Sequence, residues 1–417
     1  MSNSIDLNDV RLELAECHTL SNGVKHYTLP SNEFEVLRVS FVFSAGPIIQ
    51  TKPFTASATA YLLAEGSEKM DAHQIAESLD FYGSHYDVNI DRDYTYFNIC
   101  TLSKFAQQTL EIAEQILLHP TFPEHEVSSY CAKRKQRLTI EREKVETKAR
   151  EAFARALFGE KHPYGISYHQ DNYDLLTRDD VVDIYNRFYT AENCIVVSSG
   201  RITDVERSLI ESVASQLPTG KTITTPPLPE VVTISQLHIP QPSAVQASIR
   251  IGRRLFTRLH PDFLAMQLIA TALGGYFGSR LMRTLREERG MTYGVMSAMV
   301  NFAHEGYFAV ATQVDVKSSS EAIELIKEQI EILRHQPMEE DELEMVRRIM
   351  VGEIMRILDG PFGVADVTIE TILCGLDNSM IEKNVESIMN YTASQLQQIA
   401  YKYLDTSTMV TVVAGGE

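Results

Sequence analysis

Two hydrogen-bonding side chains, Arg286 and Tyr293, stand seven positions apart on either side of Gly290, and they are the residues of this chain best suited to chemistry. A guanidinium group offers a planar fork of donors, and a phenol offers one hydroxyl donor. Both groups suit a carbonyl oxygen that gains negative charge. If the chain turns at the glycine, the two side chains can converge on one such oxygen.

The surrounding segment predicts a helix, a turn and a strand that would position these side chains. Ser279 is suited to cap a helix, and Arg286 falls in its last turn, where a cation suits the negative end of the helix dipole. Gly290 follows as the residue that ends the helix, and residues 292–297 have the pattern of a strand. The alternative is that Arg286 caps its own helix and Tyr293 packs in the core. Taken alone, the segment favours this structural alternative.

The composition predicts an ordinary globular protein of two or more domains. The chain has 417 residues, of which 44% are hydrophobic and 23% are charged. It contains no stretch approaching the roughly 20 apolar residues that span a bilayer. Residues 1–9 are polar and acidic, so we expect no secretory signal and a cytoplasmic location.

The charge balance argues against nucleic-acid binding, because 38 basic and 56 acidic residues give a formal net charge of −18. It is compatible with basic peptide ligands, and a uniformly acidic solvated surface explains it equally well. The five cysteines are widely spaced, and no pair of them has metal-ligand spacing. We expect buried free thiols rather than a metal site.

The chain repeats itself at about half its length, with an offset of 211 to 216 positions between matching residues. The matched residues are Tyr96 and Tyr307, Ile116 and Ile330, and Glu126 and Glu342. This steady offset indicates two similar domains, each with strands and long helices. We predict domains at residues 1–217 and 236–417, joined by an extended linker at 218–235. Within the first domain, the pattern predicts one long helix over residues 124–158.

Motifs spread along nearly the whole chain resemble the pitrilysin/insulinase peptidase family, which includes the mitochondrial processing peptidase. In the first half the resemblance rests on short motifs in a fixed order. They are Leu20–Val24, Gly66-Ser67, Gly83-Ser84, Asp93–Tyr96, His119-Pro120, Leu157–Gly159, His162–Gly165 and Phe188–Asn193. In the second half it rests on Gly274–Tyr293.

The resemblance implies an α+β fold of two homologous domains, each a mostly antiparallel sheet flanked by helices, which together form half of a peptidase clamshell. Active members carry His-x-x-Glu-His on a helix, and a further glutamate later in the chain completes the zinc site. Alignment on Gly66-Ser67 puts Ser57 and Tyr61 at the histidine positions and Ala60 at the position of the general base. The distal glutamate falls near residues 136–138, none of which is a carboxylate. We therefore expect no zinc and no other cofactor in this chain.

The same resemblance gives Arg286 and Tyr293 a catalytic role, because in the family an arginine and a tyrosine seven residues apart bind the substrate carbonyl across the cavity. We therefore predict a zinc-less subunit of a heterodimeric metallopeptidase, inactive alone, that contributes these donors and peptide binding to the site of a zinc-bearing paralogue. An extended peptide is the expected substrate, and a homodimer is possible when the chain is isolated. The alternative is a noncatalytic scaffold or core subunit of a larger assembly. An autonomous zinc peptidase fails because serine and tyrosine are poor zinc ligands and alanine is no base.

Overall fold

A computed structural model describes residue 12, residues 14–223 and residues 235–417. The strands are β1 (Glu16–Thr19), β2 (Lys25–Pro30), β3 (Val36–Phe43), β4 (His85–Ile90), β5 (Thr95–Leu102), β6 (Cys194–Gly200), β7 (Gln236–Ile239), β8 (Gln246–Leu255), β9 (Val295–Asn301), β10 (Gly306–Asp315) and β11 (Val410–Ala414). The α-helices are α1 (Thr55–Leu62), α2 (Ala72–Phe81), α3 (Ala106–Leu118), α4 (Glu124–Arg142), α5 (Val145–Phe158), α6 (Arg178–Phe188), α7 (Asp204–Ser215), α8 (Phe263–Ala270), α9 (Ser319–His335), α10 (Glu340–Ile357), α11 (Pro361–Leu373), α12 (Ser379–Asn390) and α13 (Ala393–Tyr403).

Two sheets with the same topology organise the chain. The first has the strand order β1-β2-β6-β3-β5-β4, and the second has the order β7-β11-β8-β10-β9. Only β2–β6 and β7–β11 are parallel pairs; every other pairing between these strands is antiparallel. From β2 and from β7 onward, the two orders match strand for strand. The predicted fold class, a doubled α+β arrangement with mostly antiparallel sheets flanked by helices, is confirmed.

Each sheet buries one face against helices of its own half. Phe41 and Phe97 of the first sheet belong to a core that includes Ile116 of α3. Phe308 of the second sheet belongs to a core that includes Ile330 of α9. Apolar residues that alternate along a strand face one side of the sheet, and helical residues at three- and four-residue spacing cover it. These cores hold the two sheets and their helices in shape.

The other face of each sheet is covered by a helix from the opposite half. Phe153 of α5 packs with Val410 and Val412 of the second sheet. Ile369 of α11 packs with Val197 of the first sheet. This exchange makes the halves interdependent, since each supplies apolar cover that the other sheet needs. The domain limits at 217 and 236 stay a prediction, and most of the predicted linker, residues 224–234, lies outside the described residues.

The prediction of one continuous helix over residues 124–158 is wrong. Arg142 ends α4, and Val145 begins α5 after Lys144 adopts an extended conformation at φ −81° and ψ 131°. No glycine or proline stands at this break, so the sequence carries no strong signal for it. The break redirects the chain, and α5 crosses from the first sheet onto the second.

Two histidines of the first half are buried in the fold. The Nε2 atom of His26 lies 2.8 Å from Oγ of Ser198, and its Nδ1 atom lies 3.3 Å from Oε1 of Glu211. Burial lowers the pKa of His26, although the Glu211 carboxylate opposes the change. Burial and then the nearby Arg254 charge lower the pKa of His162. Both rings are therefore held neutral in the fold.

We expect the free energy of unfolding to fall as the pH drops below 6.5, the ordinary pKa of these histidines. Between pH 6.5 and the lowered pKa of each ring in the fold, the unfolded chain binds protons that the folded chain does not bind. The free energy of unfolding therefore falls by at most about 1.4 kcal/mol per pH unit for each histidine. Denaturant unfolding between pH 7.5 and 5 measures the slope. His26→Gln should flatten it, and His73→Gln, which changes a side chain 84% exposed, should not. An equal slope in wild type and His26→Gln would contradict the assignment.

Candidate functional site

The segment that carries Arg286 is built from two π-helical stretches separated by a glycine-rich loop. The stretches are Thr271–Gly275 and Met282–Glu288. π-helical turns are rare and occur frequently at functional sites. Gly274 makes a close approach to β9, because a Cβ atom at this position would lie 2.8 Å from Cβ of Ser297. The glycine lets the segment lie directly against the edge strand of the second sheet.

An ion pair fixes the start of the second stretch. Nε and Nη2 of Arg280 donate to the two carboxylate oxygens of Glu342 in α10, at 2.7 and 2.6 Å, and both side chains are largely buried. The predicted capping role of Ser279 is wrong, because its Oγ atom is buried and without a hydrogen-bond partner in the described residues. The Arg280–Glu342 pair, which the sequence reasoning missed, anchors the segment instead.

Arg286 lies in the last turn of Met282–Glu288, and its side chain has no ion pair or hydrogen bond within the described ranges. Its Cζ atom lies 4.8 Å from the ring centroid of Phe277, a residue of the glycine-rich loop. Gly290, at φ +60°, then ends the segment as the pattern predicts. The alternative that Arg286 caps its own helix is wrong, because its guanidinium contacts an aromatic face and leaves its donors unused.

Tyr293 projects from the turn before β9 and is 90% exposed. The neighbours of Tyr293 in the chain, Thr292 and Gly294, are held in place. The hydroxyls of Thr292 and Thr312 lie 2.8 and 2.9 Å from the carbonyl oxygen of Gly294. The alternative that Tyr293 packs in the core is wrong. The predicted strand begins later than expected, at Val295, so the tyrosine belongs to a turn that presents it outward.

The two predicted donors flank one turn, but no hydrogen bond joins them in the part of the chain that the structure describes. Tyr293 lines a cavity of about 460 Å³ whose floor is the second sheet. The other lining side chains include Glu146 of α5 and Arg250 of β8. Arg286 is not among the lining residues of this cavity. The structure therefore offers two donors without protein acceptors in the described residues, and one of them, Tyr293, lines a cavity.

The positions of the expected zinc motif lie on α1, where they form ordinary packing contacts. Oγ of Ser57 donates to the carbonyl of Phe54 at 3.0 Å, and Ala60 is completely buried. The Tyr61 ring stacks on Tyr130 of α4 at a centroid distance of 6.4 Å. These three positions supply neither a metal ligand pair nor a base.

Arginines of α4 occupy the region where a third metal ligand would stand. Cζ of Arg134 lies 4.4 Å from the centroid of the Tyr61 ring, and Nε of Arg137 donates to Glu141 at 2.8 Å. The positive charge of Arg134 beside α1 opposes a divalent cation. No group of three potential ligand side chains within the described residues could hold a metal ion. Zinc does not fit this site.

We expect the purified chain to contain no stoichiometric zinc, measured by mass spectrometry of the metal content. The triple variant Ser57→His, Ala60→Glu, Tyr61→His should also remain without zinc, since two histidines alone leave the site incomplete and Arg137 stands at the third position. Adding Arg137→Glu is expected to produce measurable zinc binding. Zinc bound tightly by the wild-type chain would overturn this interpretation and revive an autonomous peptidase.

Comparisons with known proteins agree on one family. A family model described as "Peptidase M16 inactive domain" matches residues 175–350, and one described as "Insulinase (Peptidase family M16)" matches residues 59–164. An uncharacterized zinc protease of Bacillus subtilis (strain 168) is 22% identical over 308 residues, covering 72% of this chain and 73% of the relative. A probable inactive metalloprotease of the same organism is 23% identical over 164 residues, covering 39% of this chain and 38% of the relative.

A solved structure has the same fold over almost the full length. It is a peptidase M16 inactive domain from Pseudomonas fluorescens, with a TM-score of 0.91, 22% sequence identity, and coverage of 97% of this chain and 99% of that chain. At this level of identity the match establishes the architecture. No helix in the described ranges is long and apolar enough to cross a membrane.

Proposed function

We propose that this chain, which belongs to the insulinase (M16) family of peptidases, is the zinc-less subunit of a heterodimeric metallopeptidase. It would bind an extended peptide together with a zinc-bearing paralogue and stabilise the carbonyl oxygen under attack. The proposal rests on one observation. A rigid segment at the edge of the second sheet presents two hydrogen-bond donors, Arg286 and Tyr293, whose side chains have no acceptor in the described chain.

The placement of Tyr293 supports a role outside folding. A tyrosine that is 90% exposed contributes little to the core, yet hydrogen bonds of Thr292 and Thr312 fix the turn that presents it. Preorganised donors lower a barrier because they do not have to reorient when charge develops on the substrate. A fixed turn with a projecting phenol has this property.

The charge and surroundings of Arg286 support its role as the second hydrogen-bond donor to the substrate carbonyl. The guanidinium has no carboxylate partner in the described chain, and its Cζ atom lies over the exposed ring of Phe277. An arginine of this kind keeps its donors for a ligand oxygen, whereas an ion-paired arginine does not. In the proposed site, Arg286 and Tyr293 would donate to one carbonyl oxygen and share its developing negative charge.

The altered zinc motif on α1 supports the proposal that catalysis depends on a partner subunit. Ser57, Ala60 and Tyr61 provide no metal ligands and no base, so the attacking water must be activated elsewhere. Zinc in the partner subunit would supply that activated water. This chain would contribute the donors, part of the peptide-binding wall and the half-clamshell fold.

Mixing the chain with a zinc-bearing paralogue and a basic unstructured peptide tests the proposal. We expect a one-to-one complex by light scattering, cleavage by the mixture, and no cleavage by this chain alone. A paralogue that cleaves the peptide equally fast without this chain would contradict the proposal. A stable complex that forms without any gain in cleavage would favour the scaffold role.

A further inference from the structure

Three arginines near the junction of the two halves have side chains without an ion pair or hydrogen bond in the described residues, and two of them, Arg92 and Arg250, are partly buried. Arg92 follows β4, Arg150 lies on α5, and Arg250 lies on β8. Acidic residues outnumber basic ones by 56 to 38 in this chain, and most of the other arginines have a carboxylate partner. A group of three arginines that has none therefore requires an explanation.

Burial opposes the charge of two of these arginines. Burial lowers the pKa of Arg92 and of Arg250, and the Arg150 charge opposes the positive charge on both. The Nε atom of Arg250 is buried and has no hydrogen-bond acceptor within the described chain. Buried polar groups are normally paired, and a buried unpaired donor in a native fold often marks a missing ligand.

The two carboxylates near these arginines do not neutralise them. Asp93 accepts hydrogen bonds from Oη of Tyr164 at 2.6 Å and from the backbone nitrogen of Ala303 at 2.9 Å, and burial raises its pKa. Glu146 accepts from Nε2 of Gln313 at 3.2 Å. Neither carboxylate forms an ion pair with these arginines. Asp93 attracts Arg92 and Glu146 attracts Arg250 only at longer range, so positive charge remains in excess.

The cavity of about 460 Å³ connects Arg250 with the proposed carbonyl site, because Arg250 and Tyr293 both line it, whereas Arg92 and Arg150 are not among its lining residues. Its other polar lining includes Ser248 and Gln246 of β8, which offer further hydrogen bonds. A concave site with a few converging polar groups is the usual form of a ligand pocket. An oxyanion that enters it would meet the guanidinium of Arg250 at the sheet floor.

We propose that Arg250 is the binding group of a subsite for a peptide carboxylate, beside the carbonyl held by Tyr293 in the same cavity. This inference rests on the proposed function, since it needs a peptide in the same cavity. The carboxylate belongs either to the C-terminus of the peptide or to an acidic side chain. Guanidinium groups suit it because they bind carboxylates through paired, charge-assisted hydrogen bonds.

Calorimetric titration of the full chain with one short unstructured peptide tests the subsite. The peptide is used in three forms: with a free C-terminus and no acidic residue, with an amidated C-terminus, and amidated with one internal glutamate. We expect at least one carboxylate form to bind about tenfold more tightly than the neutral amide. The form that binds tightly identifies the source of the carboxylate. Equal affinity for all three forms would overturn the proposal.

Arg250→Gln should abolish the preference for a carboxylate, and Arg250→Lys should keep part of it because the charge remains without the planar fork. Arg348→Gln, which changes an exposed arginine on α10, is the matched control and should keep the full preference. Thermal unfolding should show Arg250→Gln to be at least as stable as wild type, because a buried like-charge repulsion is removed. A preference that survives in Arg250→Gln would rule out the subsite.

Tyr293→Phe separates this inference from the proposed function. It should leave the affinity ratio of the three peptide forms unchanged. A carboxylate preference in wild type, combined with normal heterodimer turnover in Tyr293→Phe, would contradict the carbonyl role and leave the subsite standing. Equal affinity for the three forms, combined with lost turnover in Tyr293→Phe, would contradict the subsite and leave the carbonyl role standing.

Discussion

Turnover by the assembled heterodimer is expected to fall about a hundredfold or more when Tyr293 is replaced by Phe, and by a similar factor for Arg286→Ala. Each change removes a donor that is aimed at a charge present only in the transition state. The loss should therefore appear in kcat more than in KM. Steady-state kinetics with one peptide substrate measure both constants. Removing both donors should cost less than the product of the single effects, because they serve one oxygen.

Matched substitutions distinguish a lost donor from a disturbed fold. Arg289→Ala changes an arginine three positions along the same segment, which pairs with Glu321 on the surface. Tyr401→Phe removes the hydroxyl of another exposed tyrosine. Both controls should keep near-normal turnover. If Arg286→Ala and Tyr293→Phe behave like these controls, the carbonyl role is wrong, and the scaffold function becomes the better interpretation.

The doubled architecture is visible in the sequence because duplication leaves the same residue types at matching positions. Tyr96 and Tyr307 fall in the equivalent strands β5 and β10, and Glu126 and Glu342 fall in the equivalent helices α4 and α10. Hydrophobic periodicity also predicts most of the long helices. It joins α4 to α5, because the direction of a chain after a break depends on packing against the other sheet.

The candidate site is only partly predictable for a similar reason. The resemblance to the peptidase family singles out Arg286 and Tyr293, but the absence of protein partners for their side chains is a property of the folded surface. The ligands of the expected zinc motif are absent from the sequence, whereas the stacking of Arg134 on Tyr61 emerges only when α1 meets α4. Arg250 and Tyr293 line the same cavity although they lie more than 40 positions apart in the chain, and no local pattern brings them together.

The Arg280–Glu342 ion pair is the contact on which the position of Arg286 depends most directly. Arg280 precedes Arg286 by less than two helical turns, and Glu342 belongs to α10, which packs in the core of the second half. Glu342→Ala leaves a largely buried guanidinium without a partner. Such a loss costs about 3 kcal/mol or more, whereas breaking an exposed pair costs under about 1 kcal/mol.

We therefore expect Glu342→Ala to lower the denaturant midpoint strongly, and Glu353→Ala, on the same helix and paired at the surface with Arg356, to leave it nearly unchanged. Turnover of the heterodimer should also fall in Glu342→Ala, since the segment that presents Arg286 loses its anchor. The double variant Arg280→Met, Glu342→Leu removes both charges and should recover much of the stability. If it recovers stability while turnover stays low, the ion pair orients Arg286 as well as supporting the fold. Equal midpoints for Glu342→Ala and Glu353→Ala would show that the pair anchors nothing.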